Sequence, residues 1–261
     1  MQLANARILI TGASGGIGAA VAHALAQRGA RLFITGRDAG RLRATAEYCG
    51  AASLIADLTA EADQLALVTA ATAHLGGLDA LVNVAGVLAF TPFEQMEPAD
   101  IARLIQTNLV IPMQLTRRVL PDMIRQRQGR IVNVGSIIGS LGLAFFTAYA
   151  ASKFGLRGFS QALRRELADS GVGVTYVAPR ATRTTINTPA IQKMGEATGM
   201  AIDSPDWVAE AVVRAMQRDA KDVYLGWPEK FFVRLNALLP ALVDRATASQ
   251  SRTARRYADG G

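Results

Sequence analysis

The sequence predicts a single doubly wound α/β domain, with a parallel sheet of seven strands and helices on both of its faces. Short apolar runs alternate with stretches that are long enough for helices and too long for hairpin turns. Half of the 261 residues are hydrophobic, which is enough apolar material for a large buried core. Because right-handed crossovers join parallel strands, ligands are expected beyond the carboxyl ends of the strands, where the connectivity reverses.

The individual elements follow from the positions of the apolar runs. The predicted strands are Arg7–Thr11, Arg31–Thr35, Ser53–Asp57, Ala80–Val84, Arg130–Val134, Val172–Ala178 and Val223–Gly226. The predicted helices are Ile17–Arg28, Asp38–Cys49, Glu61–Leu75, Pro98–Gln126, Tyr149–Asp169 and Pro205–Arg218. No linker or internal repeat interrupts the alternation, so we expect residues 1–226 to form one domain.

Composition argues against several classes of protein. The formal net charge of +7 is scattered along the chain rather than interleaved with aromatic residues, so we expect no nucleic-acid partner. Cys49 is the only cysteine, and the first residues lack the basic and apolar regions of a signal peptide. We therefore expect a cytoplasmic protein without an intramolecular disulfide, and we expect no metal site.

The first predicted strand runs into a glycine-rich turn, Thr11-Gly12-Ala13-Ser14-Gly15-Gly16-Ile17-Gly18, that opens a helix. Glycines let the backbone turn tightly and approach a pyrophosphate, whose charge is met by the amides and dipole of the helix N-terminus. Such a turn could also merely connect a strand to a helix. Its place after the first strand favours a dinucleotide site.

Tyr149 and Lys153 are four residues apart, which places both side chains on one face of a helix. A phenol titrates near 10, but a neighbouring positive charge favours the phenolate, so Lys153 is expected to lower the pKa of Tyr149. Such a pair could transfer a proton in either direction. Taken alone, the same spacing is also typical of a solvated surface contact.

These motifs together resemble the short-chain dehydrogenase/reductase family over nearly the whole chain, from Arg7 to about Gly226. The glycine-rich turn has the family's form Thr-Gly-x-x-x-Gly-x-Gly, and Asn83-Val84-Ala85-Gly86 is similar to its Asn-Asn-Ala-Gly motif. Ser136 precedes Tyr149 by thirteen residues, as in the family. The resemblance implies a Rossmann-like, dinucleotide-binding catalytic domain that interconverts a carbonyl and a secondary alcohol by hydride transfer.

The resemblance also implies roles for individual residues. It assigns Asn108, Ser136, Tyr149 and Lys153 as a catalytic tetrad, with Tyr149 as the acid in reduction and the base in oxidation. Lys153 would hold the nicotinamide ribose, Asn108 would anchor a water, and Asp57 would contact the adenine. The candidate cofactor-binding residues are then Gly12, Ser14, Gly16, Ile17, Gly18, Arg37, Asp57, Leu58, Asn83, Ala85, Gly86, Tyr149, Lys153, Pro179, Thr182 and Thr184.

The end of the second strand discriminates between the two nicotinamide cofactors. An NAD-specific site usually places a carboxylate there to bind the ribose 2′-hydroxyl, and Gly36 supplies none. Arg37 follows at once, and a guanidinium can clamp a 2′-phosphate through two hydrogen bonds. Asp38 argues for NAD only if it turns toward the ribose, and we expect it to cap the next helix instead. The sequence therefore favours NADP(H) over NAD(H).

Four apolar side chains precede Tyr149 and are candidates for a substrate wall, although such residues are also ordinary packing. They are Leu141, Leu143, Phe145 and Phe146. A hydrophobic ketone or a 3-oxoacyl compound would fit this wall, with reduction as the expected direction. The alternatives are an NAD-dependent secondary alcohol dehydrogenase and a non-catalytic nucleotide-sensing or scaffold protein.

After the sixth strand, Pro179 and Thr184 match the family's pattern, but Arg180 replaces a glycine. Arg180 and Arg183 could recognise a carboxylate or phosphate on the substrate. We favour the alternative, in which they are solvent-exposed or cofactor-neutralising charges. Residues 185–203 are expected to form a mobile lid.

The C-terminal part is the least similar to the family. Residues 227–248 are predicted to form an amphipathic helical extension of the domain, followed by a disordered tail over residues 249–261. The extension could cover the substrate pocket, pack against a sister subunit, or lie on a membrane surface through residues 228–245. The resemblance implies a homodimer or homotetramer formed through the long helices that include Tyr149. The apolar stripe of the extension consists of Phe231, Leu235, Leu238, Leu239 and Leu242.

Overall fold

The structure, a computed structural model, describes residues 1–258. Its strands are β1 (Arg7–Thr11), β2 (Arg31–Gly36), β3 (Ala52–Ile55), β4 (Ala80–Asn83), β5 (Gly129–Val134), β6 (Val172–Ala178) and β7 (Asp222–Tyr224). All pairings are parallel, and the seven strands lie in the order β3-β2-β1-β4-β5-β6-β7. The predicted doubly wound, Rossmann-like α/β fold is confirmed.

Helices cover both faces of this sheet. They are α1 (Gly16–Ala26), α2 (Ala39–Cys49), α3 (Glu61–Leu75), α4 (Pro98–Ile105), α5 (Ile111–Arg125), α6 (Thr147–Glu166), α7 (Pro189–Thr198), α8 (Pro205–Gln217), α9 (Glu229–Leu238) and α10 (Pro240–Ala258). Successive residues of β1 point to opposite faces. Ile8 and Ile10 pack with α1 and α8, whereas Leu9 packs with α3 and α5.

Helix ends follow from local capping chemistry. The Asp38 carboxylate accepts a hydrogen bond from the Arg41 backbone N–H at 3.0 Å, which confirms the predicted cap of α2. Gly50 and Gly76 end α2 and α3 with φ of 59° and 75°, in the left-handed region that glycine adopts without strain.

The connectivity reverses between β1 and β4, near the middle of the sheet. Thr11 ties the two strand ends together, because its Oγ1 accepts hydrogen bonds from the backbone N–H groups of Val84 and Ala85 at 3.1 and 3.2 Å. A crevice at the carboxyl edge of the sheet is expected at such a reversal.

The predicted helix over residues 98–126 is divided into three elements. Helix α4 passes into a π-helical turn, Gln106–Val110, which continues into α5. Such turns widen the backbone hydrogen-bond ladder locally and are frequent at functional sites. This one carries Asn108, which is fully buried.

The C-terminal part departs from the prediction. The segment expected to be a mobile lid contains α7, and the extension contains two helices, since Pro240 cannot continue α9 and instead begins α10. The predicted disordered tail is wrong for residues 249–258, which belong to α10 and bury Ala254 and Ala258 in a cluster with side chains of α7. Residues 259–261 lie outside the described part of the chain. No helix within residues 1–258 is long and apolar enough to cross a membrane.

Candidate active site

A cavity of about 890 Å³ opens at the carboxyl edge of the sheet. Its walls come from the β1–α1 turn, from the segments that follow β2 to β6, and from α6, α7, α9 and α10. Most of the predicted site residues line it, and only Asn83 and Asn108 do not. Those that do are Gly12, Ser14, Gly16, Ile17, Gly18, Arg37, Asp57, Leu58, Ala85, Gly86, Ser136, Tyr149, Lys153, Pro179, Thr182 and Thr184.

The β1–α1 turn forms a cradle that only glycine permits. Gly12 has a φ of 72°, and a Cβ at this position would lie 2.7 Å from the Ala85 backbone. A Cβ on Gly18 would overlap the Gly12 carbonyl, and one on Gly16 would lie 2.7 Å from the Thr184 side chain. The N-terminus of α1 therefore borders the cavity without intervening side chains at these positions, a shape that fits a dinucleotide pyrophosphate.

The end of β2 presents cationic side chains to the cavity. A Cβ on Gly36 would overlap Ser14, so no carboxylate could be accommodated there without a shift of the turn. The Asp38 carboxylate is engaged within α2, where it also pairs with Arg41 at 3.4 Å. Arg37 is exposed, and both it and Arg41 line the cavity.

Helix α6 presents Tyr149 and Lys153 to the cavity together, as their spacing predicts. Lys153 Nζ lies 5.7 Å from the centroid of the Tyr149 ring and donates a hydrogen bond to the Val134 carbonyl at 3.3 Å. Ser136 follows β5, and its Oγ accepts a hydrogen bond from the Ile138 backbone N–H at 3.1 Å. Ser136, Tyr149 and Lys153 all line the cavity, so three polar side chains meet there.

Burial sets the protonation of this group. It raises the pKa of Tyr149 to about 12, while the Ser136 side chain acts in the opposite direction. Burial also lowers the pKa of Lys153 to about 8. The net shift of the Tyr149 pKa is therefore upward rather than downward, because loss of water around the phenol outweighs the influences that act in the opposite direction. At neutral pH Tyr149 keeps its proton.

Asn108 lies behind the cavity wall rather than in it. Its Oδ1 accepts a hydrogen bond from the Val87 backbone N–H, and its Nδ2 donates to the Val87 carbonyl, both at 2.9 Å. Nδ2 also donates to Ser152 Oγ at 3.0 Å. A Cβ built on Gly86 would lie 3.2 Å from Asn108 Oδ1 and 3.6 Å from Lys153 Nζ, so both side chains border the same backbone position.

Asn83 does not reach the cavity with its side chain. Its Nδ2 donates to Asn133 Oδ1, and Asn133 in turn donates to Ser160 of α6, both at 2.9 Å. This buried chain of hydrogen bonds connects β4 and β5 to the helix that carries Tyr149. The side chain of Asn83 thus supports the site from beneath, and the neighbouring Ala85 and Gly86 form the cavity wall.

Asp57 lies at the edge of the cavity and is exposed. Its Oδ1 accepts hydrogen bonds from the backbone N–H and hydroxyl of Thr59 at 3.1 and 2.8 Å. These bonds, together with the positive charge of Arg37, hold the pKa of the Asp57 carboxyl below its ordinary value.

Arg180 is neither a free charge nor a group that faces the solvent. It forms two hydrogen bonds to the Asp203 carboxylate, at 2.9 and 3.0 Å, and pairs with Glu229 at 3.1 Å. It also donates to the Trp227 carbonyl at 3.0 Å. Arg180 therefore links the segment after β6 to the residues before α8 and to the start of α9, which corrects the expectation of a solvent-exposed or cofactor-neutralising charge. Arg183, by contrast, is exposed.

Of the three uses left open for residues 227–248, the structure shows the covering of the pocket, because α10 borders the cavity. The sequence interpretation missed only that residues of α10 beyond position 248 also reach the cavity. One face of this helix lines it with small and polar side chains, namely Ala246, Thr247, Gln250, Ser251 and Ala254. Their spacing of three and four residues indicates a helix face, but small residues give a weak hydrophobic signal. Helix α7 contributes Ile191 and Met194 to the lining of the same cavity.

The fold and the cavity together define a dinucleotide-binding α/β protein with a proton-transfer group beside its nucleotide cradle. The sequence profile of the short chain dehydrogenase family matches residues 6–195, which is most of the chain. The protein belongs to this family and is an oxidoreductase that acts on a carbonyl or secondary alcohol with NAD or NADP.

Several characterised relatives are similar over much of their length. The 3-oxoacyl-acyl-carrier-protein reductase FabG of Vibrio cholerae is 38% identical, over 69% of this chain and 74% of its own. Dehydrogenase/reductase SDR family member 7B of Bos taurus is 33% identical, over 97% and 83%. Ketoacyl reductase HetN of Nostoc sp. is 32% identical, over 99% and 96%.

Proposed function

We propose that this protein reduces a hydrophobic ketone or a 3-oxoacyl compound to the secondary alcohol with NADPH. The observation that carries the proposal is the meeting of Ser136, Tyr149 and Lys153 in a cavity that also contains the glycine cradle. Two relatives support the substrate class, since one is named a 3-oxoacyl-acyl-carrier-protein reductase and another a ketoacyl reductase.

Tyr149 is the proton donor in this proposal. When bound, NADPH supplies the hydride that the carbonyl carbon accepts. As negative charge develops on the carbonyl oxygen, Tyr149 donates its proton and Ser136 donates a hydrogen bond to the same oxygen. Burial favours Tyr149 as the proton donor, because a phenol with a pKa of about 12 is protonated at neutral pH.

Lys153 has two roles in the proposal. With a pKa of about 8, its Nζ both carries and releases a proton near neutral pH, so it can return a proton to Tyr149 after turnover. Together with Tyr149 it would also hold the ribose of the cofactor. Asn108 positions this arrangement, because it fixes Val87 on the cavity wall and Ser152 on the helix that carries Lys153.

The remaining cofactor contacts follow the shape of the cavity. The glycine cradle would hold the pyrophosphate, Asp57 and Leu58 would border the adenine, and Thr184 would hold the nicotinamide carboxamide. Arg37 would bind the 2′-phosphate that distinguishes NADP from NAD, with Arg41 beside it. The engaged Asp38 and the lack of room at Gly36 support this preference, since neither position offers a free carboxylate to a ribose hydroxyl.

The substrate side of the cavity is predominantly apolar. Its apolar side chains come from the segment before α6, from α7 and from α10, and they are Leu141, Leu143, Phe146, Ile191, Met194 and Ala254. Such a wall favours an acyl chain or a ring system over a charged substrate, because an unpaired charge would lose its hydration there. The guanidinium of Arg180 is held by two carboxylates and does not recruit an anionic substrate in this proposal.

We also propose a homodimer or homotetramer formed through α5 and α6. These helices expose three large apolar side chains, Met113, Ile124 and Phe154. Exposed apolar residues on adjacent long helices are typical of a surface that another subunit covers. Light scattering coupled to size-exclusion chromatography measures the assembly directly, and a monomer at micromolar concentration would contradict the proposal.

The test is the oxidation of NADPH across a series of ketones and 3-oxoacyl thioesters, with wild type and Tyr149→Phe. We expect turnover by wild type and a loss of about 10²- to 10⁴-fold in kcat for the variant, which should still bind the cofactor. The exposed Tyr48 provides the matched control, and Tyr48→Phe should keep wild-type rates. Equal rates for wild type and Tyr149→Phe, or cofactor binding without turnover of any carbonyl, would overturn the proposal.

A further inference from the structure

The turn between α9 and α10 exposes an uninterrupted apolar run. Residues 237–242, here named the apolar tip, are Ala237, Leu238, Leu239, Pro240, Ala241 and Leu242, and all six are exposed. Leu238 alone has 78% of its surface accessible. Contiguous apolar surface of this kind marks a contact with another molecule.

The apolar surface continues along α9. Phe231 precedes Leu238 by seven residues, which is a spacing of one helical face, and Trp227 lies just before the helix begins. Trp227 is 68% exposed, and Phe231 is also exposed. The opposite face of α9 is occupied, because Val233 is buried in a core cluster. Helix α9 thus has one face in the protein and one apolar face outside it.

Each of the two helices carries an arginine about one helical turn away from the apolar tip. Arg234 precedes Leu238 by four residues on α9, and Arg245 follows Leu242 by three on α10. Both arginines are exposed, and neither forms a salt bridge within residues 1–258. Asp244 is the one acidic neighbour, so the flanks of the tip remain net positive.

We propose that the apolar tip docks on the surface of an anionic lipid bilayer. Leu238, Leu239 and Leu242 enter the boundary between headgroups and acyl chains, and Arg234 and Arg245 pair with lipid phosphates. One turn of helix separates leucines from cations by about 5 Å, which matches the shallow depth at which amphipathic helices lie in a bilayer. Long cationic side chains reach headgroups while their stems stay on apolar surface.

A second copy of the chain is a poorer occupant of this surface. A two-fold contact brings a patch against itself. Two net positive flanks would then be brought into one interface, which is repulsive. Anionic phosphates around an apolar layer complement the surface instead, and each cation near such a membrane is worth roughly a fivefold change in affinity.

The docked orientation also has a consequence for substrate access, which rests on the proposed function. Helices α9 and α10 carry the tip at one end and line the cavity with Phe232, Ala246 and Thr247. A hydrophobic carbonyl compound dissolved in the bilayer would therefore meet the cavity beside the contact. The docking itself does not depend on this step.

Sedimentation of the full chain with vesicles tests the proposal. The vesicles contain phosphatidylcholine alone or phosphatidylcholine with roughly 30% of the anionic lipid phosphatidylserine. We expect wild type to sediment with the anionic vesicles, to be released by high salt, and to stay in the supernatant with phosphatidylcholine alone. The double variant Leu238→Asp/Leu242→Asp should lose binding. Leu65→Asp is the matched control, because Leu65 is 55% exposed on α3 and lies outside the tip, and it should bind like wild type.

A second measurement reports the location of the contact. Trp207 and Trp227 are the two tryptophans, so Trp207→Phe leaves Trp227, which is exposed just before α9, as the only indole. Its emission should move to shorter wavelength when anionic vesicles are added. Substituting Arg234 and Arg245 by alanine should weaken binding roughly 25-fold in all, at about fivefold for each cation.

The opposing results are distinct. Wild type that remains in the supernatant with anionic vesicles, or a double variant that still binds them, would overturn the proposal. If wild type does not bind and the double variant forms a smaller assembly by light scattering, the tip is a subunit contact and the proposal is also wrong. Binding that persists in Tyr149→Phe keeps docking intact even if the proposed reduction fails, so the two hypotheses can fail separately.

Discussion

The two ends of the cavity are built in different ways. At the cofactor end, the wall is backbone: glycines at 12, 16 and 18 leave no room for side chains between the turn and its neighbours. At the substrate end, the wall consists of side chains from the segment before α6, from α7 and from α10, which are far apart in sequence. The first end depends on the conformation of a few adjacent residues, and the second depends on packing between separate segments.

This difference predicts how each end responds to change. A backbone cradle cannot absorb a new atom without moving a strand end, so a small substitution there has a large effect. A wall of side chains from two helices can repack, so comparable substitutions there should cost less and alter selectivity rather than abolish binding. The following predictions test this contrast, from the largest expected effect to the smallest.

Gly18→Ala should have the largest effect. Its Cβ would overlap the Gly12 carbonyl, and relieving such an overlap costs about 3 kcal/mol, which corresponds to roughly a 100-fold loss of cofactor affinity. Titration of cofactor fluorescence measures the affinity. Gly158→Ala is the control, since a Cβ there meets open space and alanine favours helix α6. Equal affinities for the two variants would remove the distinction between a backbone cradle and a side-chain wall.

The sequence predicted the cofactor end of the cavity well, because local rules determine its structure. The alternation of strands and helices, the glycine turn and the cap at Asp38 each follow from short-range periodicity or conformational preference, and the structure has all three. Tyr149 and Lys153 share the cavity because helical spacing alone puts them together.

Sequence reasoning failed where distant segments meet. The partners of Arg180 lie 23 and 49 residues away, so no local pattern marks them. Ala254 and Ala258 of α10 are buried in a cluster with side chains from distant segments, including α7, and this part of the chain was therefore mistaken for a disordered tail. The raised pKa of Tyr149 likewise reflects burial by the whole fold rather than its neighbour on the helix.

Lys153 lies between the two ends, and its burial should make stability depend on pH. Its pKa is about 8 in the folded protein, below the ordinary 10.5. Between these values the unfolded chain binds more protons, so the free energy of unfolding should rise with pH, by about 3 kcal/mol at most. Below pH 8 both states are protonated and this contribution is flat.

Urea unfolding of wild type and Lys153→Met at pH 7.5 and 10 isolates this contribution. The variant should lack the rise, and Lys193→Met, at an exposed position on α7, should retain it. The contribution of Lys153 is read from the difference between wild type and variant, because other groups also change the free energy of unfolding with pH. Tyr149 is one of them: its raised pKa makes the free energy of unfolding fall as the pH rises above 10. An identical pH dependence in wild type and Lys153→Met would contradict the burial of a titrating ammonium group.

Arg37→Ala tests the cofactor end without disturbing its backbone. Loss of a charge-assisted clamp on a phosphate should cost about 2 kcal/mol, so the KM for NADPH should rise by roughly 30-fold while that for NADH changes little. Steady-state kinetics with both cofactors measure the ratio. Arg43→Ala is the control, because Arg43 is exposed on the same helix as Arg41 but does not line the cavity. Similar changes for both cofactors would remove the assignment of Arg37 to the 2′-phosphate.

Arg180→Ala should have the smallest effect, at the end built from separate segments. Arg180 joins Asp203, at the base of the segment that carries α7, to Glu229 at the start of α9. Because these groups are partly shielded from water, breaking the link should cost about 1 to 2 kcal/mol of stability, between the values for exposed and buried pairs. The helices that form the substrate wall would be less firmly held, so the KM for the carbonyl substrate should rise about fivefold with the KM for NADPH unchanged.

Two controls decide whether this link acts through position or through charge alone. Arg183→Ala removes the same charge from an exposed position nearby and should leave both constants unchanged. Arg180→Lys keeps the charge but not the two parallel hydrogen bonds to Asp203, so it should behave like the alanine variant. Full rescue by lysine would mean that charge suffices. If the KM for NADPH rises as much as the KM for the substrate, the cofactor end and the substrate end of the cavity do not respond independently. That result would contradict the difference between a backbone cradle and a side-chain wall.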